Sequence, residues 1–436
     1  MRCRHRCLRR AHCSIGLFPA LLSAQGLPVA RPEALGFFPD GLAHVTAVVQ
    51  AYVDSGLIAG AGFVVARDGR VAWRGSAGVM DLGTRAPMRL DALFRVCSMT
   101  KPVTAAAAMQ LVDRGKLALD DPVSKYLPAF AKVKVYEGGP AARPMLRDPV
   151  RPIRVEDLML HTAGFGPRYG STEGVDTLWA PAGLLVWERS LTDFADAVAR
   201  LPLYFSPGDR WQYGVGLEVL GRVIEVVSGK PFDVYLKEEL FAPLRMTETG
   251  FVFPEGTGDR IATLYDRAGL DHPLRRSDDT TCGTYAPSTR FFSGGGGLVS
   301  TIDDYIRFAQ MLLNGGELDG RRVLSRESVA RMTQNHLPGR LLPLPLPTFL
   351  GRPGQVGYGQ GYGGAVLVDT ASNPIPGSPG IYRWLGYYST YFWIDPQTRL
   401  IGMVWVQYRP DPATSLGLEP AFQRAVYGAL VEPRRP

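Results

Sequence analysis

Cysteine, histidine and lysine are all scarce in this chain, and each scarcity excludes something. Of five cysteines, three lie in the first thirteen residues, leaving only Cys97 and Cys282 in the body. Two cysteines in so long a body make no disulfide framework, so the sequence fits a reducing compartment, with Cys97 read as a small core residue. Beyond the first residues the histidines are His44, His161, His272 and His336, and no Gly-x-Ser-x-Gly elbow occurs anywhere. That combination argues against a Ser-His-Asp hydrolase of the elbow type. His161, in Leu-His-Thr-Ala-Gly, reads as a structural residue at a helix end. No apolar run approaches the length of about 18 residues that a membrane helix needs, so membrane insertion is not expected.

The net charge of +7 invites a nucleic-acid partner, but its distribution does not support one. Arg2, Arg4, Arg6, Arg9 and Arg10 open the chain, and Arg434 and Arg435 sit at its end. Without these seven, the body is close to neutral, so no basic groove is expected and no nucleic acid. Residues 1–30 read as a basic tail or a signal segment, because the arginines precede the apolar stretch Ile15–Gln25, itself interrupted by Pro19. A cytoplasmic location is favoured, and a periplasmic or secreted one follows if that segment is a signal. Cys3, His5, Cys7, His12 and Cys13 are ligand types, but they stand among repelling arginines with no second cluster downstream, so no metal is expected.

With 46% hydrophobic residues over its full length the chain can bury a large core, which is expected in the remainder, 31–436. Pro39 and Asp40 lead into an amphipathic helix with Leu42, Val45, Val49 and Val53 on its apolar face. Phe63–Ala66, Asp68-Gly69 and Val71–Trp73 read as a hairpin with a type I′ turn, since Asp-Gly tolerates positive φ. A helix beginning at Ser98 runs to Gly115, another covers Val215–Val227, and a third starts near Ser300 or Thr301 and stops at Asn314-Gly315-Gly316. Residues 337–379 are rich in Pro, Gly and Leu without periodicity, which suits a segment that lines or covers a site. Tyr391–Ile394 and Leu400–Gln407 read as paired strands, and Glu419–Leu430 as a closing helix. Strands near both ends with helices between them predict an α+β fold. One antiparallel sheet is built from both termini (about 31–95 and 335–436) and flanked by terminal helices, with a mostly helical part at about 96–334 inserted.

Ser98-Met99-Thr100-Lys101 is the most informative pattern, and it occurs once. A serine is a weak nucleophile unless a base takes its proton. An amine three residues on shares its helix face and can take part in that transfer, which a guanidinium cannot. With only seven lysines in the chain, the pairing carries information. Two further stretches stand out. Ser206-Pro-Gly-Asp-Arg-Trp-Gln-Tyr213 places a phenol where a turn feeds a helix. Arg383-Trp384-Leu385-Gly386 places a glycine inside a strand, which marks close approach of another backbone or a ligand. Gly294–Gly297 lacks the Lys-Ser/Thr of a nucleotide loop and reads as close packing beside a cleft.

In this order the three pieces, with Leu160-His-Thr-Ala-Gly-Phe165 and Ser293-Gly-Gly-Gly-Gly-Leu-Val-Ser300, resemble the serine β-lactamase and penicillin-binding superfamily. More specifically, the chain is similar to the family VIII carboxylesterases, relatives of class C β-lactamases, over roughly Ala34 to Leu430. The resemblance implies a serine β-lactamase-like fold and a serine hydrolase without a cofactor. Ser98 becomes the acylated nucleophile, with Lys101 and Tyr213 sharing its proton. The oxyanion hole falls to the backbone N–H groups of Ser98 and Tyr387. A phenol held near an ammonium has its anion stabilised, which suits proton transfer.

Two departures from the β-lactamase pattern bear on the substrate, which the resemblance makes a small-molecule ester. Where the β-lactamases carry Lys-Thr-Gly, this chain has Trp384-Leu385-Gly386, which keeps the glycine and loses the cation. Where class C enzymes have Tyr-x-Asn, it has Tyr213-Gly-Val215, which removes an amide. Trp384, Gly386 and Val215 are thus the expected substrate-binding positions, in a site more apolar than that of a β-lactamase. A carboxylesterase with weak β-lactam hydrolysis is the leading expectation. A class C-like β-lactamase, a D-alanyl-D-alanine peptidase, an acyltransferase and a non-catalytic ligand-binding relative are the alternatives.

Overall fold

The computed structural model describes residues 26–166, 174–184, 186–342, 344, 356–410 and 416–431. Residues 1–25 of the tail, with its ligand-type residues, and residues 343 and 345–355 of the Pro-rich stretch lie outside the described residues.

Helix α1 (Pro39–Asp54) buries Leu42, Val45 and Val49 and starts with proline in its first turn, where the missing N–H costs nothing. The chain then forms β1 (Gly60–Arg67) and β2 (Arg70–Gly78), longer than the hairpin expected from the sequence. Asp68 and Gly69 both take positive φ, 52° and 78°, as a type I′ turn requires. Helix α2 (Thr100–Asp113) follows a single 3-10 turn at Cys97–Met99, so Ser98 lies in that turn just ahead of the α-helix. Three helices of the inserted part matter for the site: α3 (Val155–Leu160), α4 (Gly216–Ser228) and α5 (Ile302–Leu313). The chain returns through β3 (Tyr358–Gln360), β4 (Ala365–Leu367), β5 (Tyr382–Gly386), β6 (Thr390–Asp395) and β7 (Leu400–Val406), then closes with α6 (Leu418–Gly428). β3 and β4 come from a stretch read as aperiodic. Each has only three residues, too few for alternation to show against surrounding glycines.

These strands make a seven-stranded antiparallel sheet in the order β3-β4-β5-β6-β7-β1-β2. The joint between the two ends of the chain is β1 against β7, running in register from Ala61↔Val406 to Arg67↔Leu400. Side chains alternate between the faces. On one face Phe63 and Trp393 meet Phe422 of α6, and α1 packs beside α6 so closely that a Cβ on Gly41 would lie 2.7 Å from the Cα of Ala429. On the other face Trp405 and Phe392 pack on Tyr305 of α5. The mixed α+β architecture with helices from both termini on one side of the sheet is the one expected from the sequence.

Cys97 and Cys282 form a disulfide, contrary to the expectation of a free core cysteine. They lie 185 residues apart, and spacing of that kind says nothing about which loops the fold brings together. The pairing also removes the cysteine count as an argument for a reducing compartment.

Candidate active site

The site forms where the turn before α2 meets β5 and the loop leading into α4. Gly386, at the end of β5, is the hinge of this meeting. A Cβ there would lie 2.3 Å from the carbonyl oxygen of Val96 and 2.2 Å from Thr390 Oγ1. The glycine therefore marks close backbone approach, as its place in a strand suggested. Thr390 Oγ1 also donates to Val96 O at 3.3 Å, which fastens the turn carrying Ser98 to the sheet. Cys97 itself takes φ +46°, uncommon for a residue with a side chain, immediately before Ser98. Its disulfide, the Thr100 hydroxyl donating to its carbonyl at 2.7 Å, and the burial of Met99 hold that conformation.

Ser98 is half-buried, and its Oγ lies between two partners. Tyr213 Oη donates to it at 2.7 Å and Lys101 Nζ at 3.2 Å. Lys101 is only 3% exposed and also donates to the carbonyl of Gly295 at 2.5 Å. Its ammonium lies over the Tyr213 ring, 4.6 Å from the centroid, in cation–π contact. The structure thus brings Tyr213 to Ser98 and Lys101, which precede it in sequence by more than a hundred residues.

The glycine run at 294–297 explains how a main-chain carbonyl comes so near Lys101. Gly294 faces the carbonyl of Leu217, and Gly295 faces the buried carboxylate of Glu218, with a Cβ position only 2.4 Å and 2.3 Å from those atoms. No side chain fits, so the run lies flat on the start of α4. Ser293 Oγ donates to Glu218 Oε1 at 3.1 Å, and Thr104 Oγ1 to Gly294 O at 2.7 Å. The sequence drew attention to the glycines. It gave no sign of Glu218 beneath them or of the carbonyl that anchors the lysine.

Tyr213 is held from the α3 side. Asp157 of α3 accepts from Arg151 at 2.6 and 2.8 Å, from Arg154 N at 2.8 Å and from Thr162 Oγ1 at 2.8 Å. The next loop is tied to this anchor by Gly208 N donating to Thr162 O at 2.9 Å and Gln212 N to His161 O at 2.9 Å. Gly214 nestles against the carbonyls of Phe165 and Gly166, leaving no room for a Cβ. Trp384 lies parallel to the Tyr213 ring at 6.1 Å and to the His161 ring at 6.4 Å. An indole therefore stands where the β-lactamase pattern has a lysine. Tyr387 follows Gly386 and is half-buried. Val215 is different: it is fully buried in the core at the start of α4, so its side chain offers no surface to a substrate in this conformation. Among the described residues no group of three or more His, Cys, Asp or Glu side chains is arranged to hold a metal ion.

An antiparallel sheet flanked by terminal helices, with Ser-x-x-Lys and Tyr converging at the sheet's edge, is the architecture of the serine β-lactamase-like superfamily. The chain belongs to the β-lactamase family, whose model matches residues 45–421. It is 32% identical over 377 residues to Esterase EstB of Burkholderia gladioli, covering 81% of this chain and 88% of that protein. It is 30% identical over 383 residues to a lovastatin esterase of Penicillium rubens, covering 82% and 91%. Among solved structures it resembles EstCE1, a hydrolase with promiscuous acyltransferase activity, with a TM-score of 0.76, 27% identity and coverage of 89% and 99%. The chain is accordingly a serine hydrolase or acyltransferase of the β-lactamase superfamily. Among the described residues no helix is long and apolar enough to cross a membrane.

Proposed function

We propose that this protein is a serine carboxylesterase that hydrolyses short to medium uncharged acyl esters through an acyl-enzyme on Ser98. The observation that carries the reading is the position of Ser98 Oγ, 2.7 Å from Tyr213 Oη and 3.2 Å from Lys101 Nζ. Both distances suit proton transfer as the oxygen attacks an ester carbonyl. The Tyr213–Lys101 pair acts in the form that has already given up one proton, so it takes the Ser98 proton as Oγ attacks and the carbonyl carbon becomes tetrahedral. Its oxyanion is received by the backbone N–H groups of Ser98 and Tyr387. Collapse breaks the ester C–O bond, and the leaving alcohol takes the proton. Water then adds to the acyl-enzyme, Tyr213 accepts its proton, and the carboxylic acid departs as Ser98 regains its hydrogen.

The ester preference rests on the loss of a carboxylate-binding lysine at position 384, where a largely buried apolar indole packs beside Tyr213 instead. Two of the relatives are named as esterases, which agrees with it. Acyl transfer to an alcohol shares the acyl-enzyme and differs only in the second acceptor. The promiscuous acyltransferase activity of EstCE1 favours it as a second reading.

The test is hydrolysis of p-nitrophenyl esters of increasing acyl length beside a chromogenic cephalosporin, with a fluorophosphonate probe and mass spectrometry to locate the labelled residue. The expected result is ester turnover and a label on Ser98, both lost in Ser98→Ala. Ester hydrolysis retained by Ser98→Ala would overturn the mechanism. A higher kcat/KM on the cephalosporin would move the protein to the β-lactamases, and faster product formation with an added alcohol would identify a transferase.

A further inference from the structure

His161 ends α3 in the left-handed conformation, with φ +59°, and grips the Tyr213 segment twice. Its carbonyl accepts from the N–H of Gln212 at 2.9 Å, and its ring Nδ1 accepts from the N–H of Gly214 at 3.4 Å. One residue therefore holds the backbone on both sides of Tyr213. The imidazole also lies against the Tyr213 ring, centroids 4.7 Å apart, with Trp211 edge-on at 5.7 Å.

Only 3% of His161 is exposed. Because Nδ1 accepts a hydrogen bond, a neutral ring carries its proton on Nε2. Nε2 is buried without a hydrogen-bond partner. A ring that served packing alone would be better replaced by an apolar one, since a buried unmatched polar atom costs about 1–3 kcal/mol. What the imidazole offers and a phenyl ring does not is the acceptor at Nδ1. The rings packed around it are Tyr213 and Trp211 from the loop and Trp384 from β5, and the charge that acts on it is that of Lys101 from α2. Burial, with the charge of Lys101 adding to it, holds the imidazole pKa well below its usual value. The ring therefore adds no second cation beside Lys101.

We infer that His161 is a positioning residue: a neutral imidazole, protonated on Nε2, that fixes residues 212–214 and so holds the Tyr213 hydroxyl against Ser98 Oγ. The inference rests on the role proposed for Tyr213 and extends it to the residue that sets its place.

The experiment is a double-mutant cycle of His161→Ala and His161→Asn with Tyr213→Phe. It is read as kcat and KM on p-nitrophenyl butyrate and as the rate of Ser98 labelling by a fluorophosphonate. Displacing a reacting group by an ångström costs on the order of 100-fold, so His161→Ala is expected to lower kcat by roughly 10- to 100-fold with KM nearly unchanged. Asparagine tolerates the left-handed backbone and offers an amide oxygen near the place of Nδ1, so His161→Asn is expected to recover most of the loss. In the Tyr213→Phe background neither change should cost anything further. Nitrogen NMR of the wild-type protein, assigned by the loss of signals in His161→Asn, should show Nε2 protonated and Nδ1 bare from pH 6 to 9.

An asparagine variant as impaired as the alanine one, effects that multiply in the Tyr213→Phe background, or a cationic ring at pH 7 would each overturn the inference. A Tyr213→Phe enzyme with unchanged kcat and labelling would instead remove Tyr213 from the mechanism, so the two failures are distinguishable.

Discussion

Lys101 stands over the face of Tyr213, its Nζ 4.6 Å from the ring centroid, and both side chains reach the same hydroxyl oxygen of Ser98. Amine, phenol and serine hydroxyl thus form a closed triangle, and displacing any corner disturbs two of its three contacts. The lysine is fixed from behind by the Gly295 carbonyl, leaving its ammonium little freedom to swing away.

Lys101→Arg tests what the lysine contributes. Arginine keeps a positive charge but stays protonated and carries a longer, planar head. General acid–base assistance contributes about 10²–10⁴-fold, so the variant is expected to lose activity within that range while remaining folded. Steady-state kinetics on p-nitrophenyl butyrate, with circular dichroism as the folding control, decide it. Near wild-type kcat would show that only the charge matters.

Gly386→Ala should separate the site from the sheet. The added methyl would sit 2.3 Å from Val96 O and 2.2 Å from Thr390 Oγ1, so β5 must draw back from the turn carrying Ser98. Overpacking of this kind costs about 1–3 kcal/mol, and a shift of an ångström in the oxyanion hole proposed at Ser98 and Tyr387 would cost roughly 100-fold in rate. Gly428→Ala, with nothing within 4 Å of its added methyl, is the matched control and should leave kcat unchanged. Equal activity in the two variants would show that β5 does not shape the catalytic site.

The difference between what the sequence disclosed and what it hid follows from the range of each signal. Asp68-Gly69, the turn into α4 and the strands after Arg383 were legible because their determinants lie within a few residues of one another. Ser98, Lys101 and Tyr213 were legible because their spacing and order carry chemistry. The partners that complete the site are set by tertiary approach instead. Glu218 meets Gly295 and Cys97 meets Cys282 only after distant loops are folded together. Val215 shows the opposite error: its position beside Tyr213 suggested substrate contact, yet the start of α4 turns it into the core.

The Cys97–Cys282 disulfide joins the residue before Ser98 to a loop 185 residues away. Removing a native disulfide of long span typically costs about 2–5 kcal/mol. Thermal melting with and without dithiothreitol should therefore show a lower Tm under reduction, with ester hydrolysis falling in parallel. Cys282→Ser should show the lowered Tm without responding to the reductant. A wild-type melt that ignores complete reduction, verified by thiol counting, would show that the bridge contributes nothing to stability.

His161 gives stability a defined pH dependence. Its folded-state pKa lies well below the ordinary value, because burial opposes the charged form and Lys101 repels it. In the unfolded chain the imidazole takes up its proton near pH 6.5. As pH falls below that point the unfolded state gains a proton that the folded state refuses. This contribution is therefore intact above about pH 6.5 and declines by about 1.4 kcal/mol per pH unit below it, until the folded pKa is reached. Chemical denaturation at pH 8 and pH 5 should show a larger loss for wild type than for His161→Asn. Identical losses would mean that the ring titrates normally in the folded protein.

The pairing of β1 with β7 also bears on how the protein is made. A chain emerging from the ribosome presents Gly60–Arg67 early, whereas its partner Leu400–Val406 arrives more than three hundred residues later. Until then β1 has β2 on one side and a bare hydrogen-bonding edge on the other. Ser98 is already present, but Gly386 and the strand that docks on its turn are not. The nascent polypeptide accordingly carries Ser98 long before the strands that frame it, and the sheet is complete only when β7 takes its place between β6 and β1.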